Sequence, residues 1–73
     1  MTLNRLEKGQ SANIIAINAK KELKNRFNSF GLIKGANVTV EHHTLGGKTM
    51  KIRINKTRMA MRLCEAKTIE VAL

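Results

Sequence analysis

The chain has no proline, tryptophan or tyrosine, and only one cysteine and two phenylalanines in 73 residues. Without proline, nothing prevents strands from pairing along their whole length. The lone thiol, Cys64, excludes an internal disulfide framework, and no Cys/His spacing matches a structural zinc site. Missing tryptophan and tyrosine remove the platforms on which single-stranded nucleic acids usually stack, and both phenylalanines fall in a helical apolar stripe. No run approaches the ~18 consecutive apolar residues of a spanning helix. The first residues resemble neither a signal peptide nor its cleavage site, and with the single thiol this leads to the expectation of a cytoplasmic protein. Acidic residues are also scarce.

What is present is mostly aliphatic and basic. Residues 1–73 are expected to form one small domain, near the lower size limit for folding without staples. Its core has to come from Leu3, Leu6, Ile14, Ile15, Ile17, Leu23, Phe27, Phe30, Leu32, Ile33, Val38, Val40, Ile52, Ile54, Leu63, Ile69 and Val71. Such a set fills one small barrel or sandwich and leaves nothing to wall a deep substrate pocket.

Pattern places the elements. Leu3 and Leu6 anchor the start, and residues 12–17 are short, β-branched and bounded by turn formers, which predicts a strand. Asn18 is expected to cap a helix over residues 19–30, with Leu23, Phe27 and Phe30 on one face and Gly31 as its left-handed stop. Gly35 turns the chain into a strand over 38–43, where Val38, Val40 and His42 share a face. The segment Leu45-Gly46-Gly47-Lys48 predicts a hairpin into a third strand, 48–54. Asn55-Lys56-Thr57 is a second tight turn, leading to a fourth strand at 58–62, one helical turn at 63–67 and a closing strand at 68–73. The fold class is therefore mainly β with one helix after the first strand: a small five-stranded antiparallel β-barrel, closed to avoid exposed edges.

No catalytic constellation emerges. There is no phosphate loop, dinucleotide fingerprint, paired-carboxylate or hydroxyl-nucleophile motif, so an enzyme is not expected, and no cofactor is implied. His42 and His43 are adjacent on a strand and project to opposite faces, so they do not readily share a metal ion; no metal site is expected. His42 shares the core-facing parity of Val38 and Val40. Charge is the feature left over: 14 Lys and Arg against 5 Glu and Asp, net +9. Outward Lys51 and Arg53, with Lys48 and Lys56 at the strand ends and Arg58 beyond, form one candidate partner-binding group. Lys20, Lys21 and Lys24 on the helix form another. Such surfaces attract acidic proteins, nucleic acid or an anionic membrane leaflet.

Several segments, in this order and spacing, carry a family resemblance: Leu3-x-x-Leu6-x-x-Gly9, Ile14-x-x-Ile17, Arg26-Phe27-x-x-Phe30-Gly31-Leu32-x-x-Gly35-x-x-Val38-x-Val40, and Met59-Ala60-Met61-Arg62-x-x-Glu65-Ala66-x-x-Ile69-x-Val71. They resemble the FeoA family, small cytoplasmic accessory proteins of bacterial ferrous iron transport. The resemblance implies an SH3-like barrel and a partner, the FeoB-type permease with its cytoplasmic GTP-hydrolysing domain and membrane part. It also implies recruitment to the inner face of the membrane. A related fold forms the C-terminal domain of DtxR-type repressors, so a nucleic-acid-binding or repressor-associated module is the alternative expectation.

Overall fold

A computed structural model describes residues 1–44 and 46–73. A 3-10 turn at Leu3–Arg5 precedes β1 (Ser11–Ile17), α1 (Lys21–Ser29), β2 (Asn37–His43), β3 (Thr49–Ile54), β4 (Thr57–Arg62), α2 (Leu63–Ala66) and β5 (Ile69–Ala72). The strands form one antiparallel sheet in the order β4-β3-β2-β1-β5. It rolls around a core in which Phe27, Leu32, Val38, Val40, Met50, Ile52 and Ile69 are fully buried. The barrel seam is not a hydrogen-bonded ladder: β4 and β5 are joined through α2, whose Ala66 packs in the same core as Leu3 and Leu6. Leu45, expected to open the hairpin, lies outside the described residues. On its far side Gly46 and Gly47 take left-handed φ of 91° and 68°.

The helix end forms as its sequence predicts. Gly31, at φ 89°, donates its N–H to the Asn28 carbonyl, and Leu32 donates to that of Phe27, both at 3.0 Å. Leu32 and Phe27 are buried together, completing a Schellman stop. A Cβ at Gly31 would meet only Ile54 Cγ2, at an ordinary 3.8 Å, so backbone conformation alone sets the cost of a side chain there. Gly31→Ala should lower stability by about 1–2 kcal/mol, read from urea denaturation. An unchanged midpoint would contradict this account of the turn.

The helix start differs from expectation. The N-cap is Lys20, with no side-chain cap bond, while the Asn18 N–H donates to the Thr68 carbonyl at 2.7 Å. Asn18 thus pairs through its backbone with the segment before β5, and the helix begins beyond its capping position, after Lys20. Two bulges also reset side-chain parity. In β2, Val40 faces Ile52 but His42 faces Lys51, so one extra residue turns His42 outward instead of into the core. His43 instead donates from Nε2 to the Leu6 carbonyl at 2.8 Å, tying β2 to the N-terminal turn.

In β1 a similar shift occurs between Ile14 and Ala16, and the intervening Ile15 is 44% exposed. Ile33 (50%) and Phe30 (41%) also leave the expected core. Ile33 opens the turn closed by the Ala36 N–H on its carbonyl, and Phe30 is the helix C-cap, where helical periodicity has ended. Ala12, Met50, Met59, Met61 and Ala66 fill the interior beside the expected aliphatic residues. Methionine, flexible and unbranched, suits the irregular space under a rolled sheet.

Candidate functional site

Strand alternation builds the basic face. Along β3, Met50, Ile52 and Ile54 are buried, which forces Lys51 and Arg53 outward. Along β4, buried Met59 and Met61 force Arg58, Ala60 and Arg62 outward in the same way. Register then sets Lys51 beside Ala60, Arg53 beside Arg58, and Thr49 beside Arg62. On the other side of β3, His42 lies beside Lys51 and Thr39 beside Arg53. Lys48 precedes β3 and Lys56 sits in the turn that ends it, so the face is basic from end to end.

Two arginines directly opposite one another repel. The Arg53–Arg58 pair is relieved by Glu41 at the β2 bulge, whose Oε1 lies 2.9 Å from Arg58 Nε. Among the described residues, Lys51, Arg53 and Arg62 have no carboxylate in ion-pairing reach. These side chains are therefore held out by the strand, uncompensated and solvated. The β1 side of the sheet is different: Ser11 and Thr39 hydroxyls bond at 2.7 Å, and Asn37 donates to Asn13 at 3.2 Å. Its neutral pairs satisfy one another.

The helix lysines stand apart from this face. Lys20 and Lys21 lie at the N-terminus of α1, where positive charge is disfavoured by the helix dipole and Glu22 is the one acid of the first turn. Lys24 borders a groove of about 410 Å³ between β1 and α1, with Ile15, Ile17, Asn28, Ile33 and Lys34. Thus the expected site residues separate into a strand group (Lys48, Lys51, Arg53, Lys56, Arg58) and a helix group (Lys20, Lys21, Lys24). Sequence reading omitted Arg62 from the first and Lys34 from the second. The i, i+4 spacing of Arg58 and Arg62 within a strand places them on one face and was the available signal.

Metal chemistry finds little to use. Among the described residues no three His, Cys, Asp or Glu side chains gather to hold an ion. Cys64 is exposed on α2, and His43 is engaged with a backbone carbonyl. No helix among the described residues is long and apolar enough to cross a membrane.

A family profile described as the FeoA domain matches residues 1–73. The chain belongs to the FeoA family. It is 48% identical over 73 residues to a Campylobacter jejuni protein named as an Fe(2+) transport protein A, covering 100% of this chain and 99% of that one. A Helicobacter pylori protein of the same name (strain J99) is 39% identical over 67 residues, 90% of this chain and 86% of that one. Among solved structures, the Chlorobium tepidum FeoA protein superposes with a TM-score of 0.93 at 28% identity, covering 97% of this chain and 68% of that one. Stenotrophomonas maltophilia FeoA, solved with zinc and described as a procaryotic SH3 domain protein, gives 0.87 at 29% identity, covering 99% and 89%. This FeoA-family chain accordingly has the SH3-like barrel architecture, with its helix inserted after the first strand. A manganese-dependent transcriptional repressor also superposes, at 0.88, but at 17% identity and over 39% of its length, which shows a shared fold alone.

Proposed function

We propose that this chain serves ferrous iron transport as a non-enzymatic docking module, binding the cytoplasmic part of a FeoB-type permease through the basic face of β3 and β4. The observation that carries the reading is the row of outward Lys51, Arg53 and Arg62, fixed by buried alternate residues and unpaired among the described residues. The names of the Campylobacter and Helicobacter relatives place the family in Fe(2+) transport. A net charge of +9 suits an acidic protein surface, with attraction to the anionic inner leaflet as an aid to recruitment.

Charge at the rim of an interface governs encounter more than the strength of the final complex. The complex should therefore respond to salt. Immobilised permease cytoplasmic domain should retain the chain at about 0.1 M salt and release it at about 1 M, where the screening length falls from roughly 10 Å to 3 Å. Retention unchanged across that range would contradict a charge-driven contact. No retention at either concentration would contradict docking on that domain.

A further inference from the structure

The two outer strands of the sheet are treated differently. The outer edge of β5 is covered: the Val71 N–H donates to the Met1 carbonyl at 2.8 Å, the Met1 amino group reaches the Val71 carbonyl at 3.3 Å, and Thr2 bridges Glu70. The outer edge of β4 is open. The Leu63 N–H donates inward to the Lys48 carbonyl at 3.0 Å, so by strand alternation Met61, Met59 and Thr57 also bond toward β3. The backbone groups of Arg58, Ala60 and Arg62 point the other way. Arg62 confirms this, because its N–H donates to Glu65 Oε1 at 2.9 Å, which closes that end of the edge. Among the described residues nothing pairs with the N–H and C=O of Arg58 and Ala60.

We propose that the open edge of β4 is a strand-addition site, which takes an extended acidic segment of a partner protein as a sixth, antiparallel strand. The proposal rests on the docking reading above and specifies how the contact is made. Main-chain bonds to Arg58 and Ala60 supply the pairing, as in other β-augmentation complexes. Side chains supply the selectivity. A residue placed opposite Ala60 would have its i−2 and i+2 neighbours opposite Arg58 and Arg62, and carboxylates there meet a field set by Arg62 and by Lys51, which lies beside Ala60. Ala60 itself leaves room for close approach. The same pattern opposes self-association: two β4 strands paired about Ala60 would set Arg58 of each copy against Arg62 of the other. An unprotected edge is normally a liability, and here its charges refuse a second copy while admitting an acidic strand.

Hydrogen exchange on the full labelled chain tests this, with and without the soluble cytoplasmic domain of a FeoB-type permease. The amides of Arg58 and Ala60 should exchange quickly when free and slow by about tenfold or more in the complex. Ala60→Pro deletes the outward N–H without touching the β3 ladder, a substitution edge strands accept, and should weaken binding by about tenfold or more. Ala60→Ser keeps the backbone donor and should bind normally. Binding by Ala60→Pro at full strength, or a wild-type complex in which Arg58 and Ala60 stay unprotected, would overturn strand addition and leave docking on the basic face standing. If wild type does not bind the domain, both fall. Protection that rises with chain concentration alone would assign the edge to a second copy and overturn the acidic-partner proposal.

Discussion

Phe27→Ala should leave the chain unfolded, or nearly so, at room temperature. Phe27 is fully buried, sits in the last turn of α1, and accepts at its carbonyl the Leu32 N–H that locks the helix stop. Truncating a buried phenylalanine typically costs about 3–5 kcal/mol through lost burial and the cavity left behind. A core of this size supplies roughly the same amount in total. No disulfide is present to limit the damage, since Cys64 is the one cysteine. The neighbouring Phe30 provides the internal comparison: at 41% exposure, Phe30→Ala should cost about 1 kcal/mol or less. Thermal melting followed by circular dichroism separates the two. A cooperative Phe27→Ala transition near the wild-type temperature would show that the helix is not anchored as described.

Much of that architecture was legible in the sequence. Gly31 marks the helix stop, and alternation through Met50, Ile52 and Ile54 sets the faces of β3. Asn55 gave a turn that the structure closes with φ 54°. These signals are local and steric, so they survive in any fold. The bulges are different. Glu41 and Ile15 are inserted relative to a neighbouring strand, and no residue in their own segments declares it. As a result, Ile15, an expected core residue, and His42, which has core-facing parity by simple alternation, both face solvent. Asn18 is not the cap because the helix starts only after Lys20, and the Asn18 backbone is instead held by a bond to Thr68, fifty residues along the chain. At the candidate site the charges were evident, but their grouping was not. Only register places Arg53 beside Arg58 and separates the strand residues from Lys24.

Reversing both Lys51 and Arg53 to glutamate should slow association with the permease domain by about tenfold or more at low salt. Each reversal removes two charge units, taking the net charge from +9 to +5. The two positions also form the centre of the basic face, so the local field changes sign there. Folding should survive, because both side chains are exposed and a glutamate at position 53 would face Arg58 across the ladder. The effect belongs mainly to the association rate. At high salt the wild-type and variant rates should converge, since screening removes what the substitution removed. A variant that associates at the wild-type rate in low salt, while still folded, would detach the basic face from function. Lys20→Glu combined with Lys21→Glu makes the informative control, because these residues lie at the start of α1 and not on the strand face.

The measurement that most directly tests the proposed docking face is an NMR titration of the labelled chain with the soluble GTPase domain of a FeoB-type permease, at low and moderate salt. The account predicts saturable shifts concentrated on Lys51, Arg53, Arg58, Ala60 and Arg62, with weaker binding as salt rises. Shifts confined to other strands, or no shifts at either salt, would contradict it.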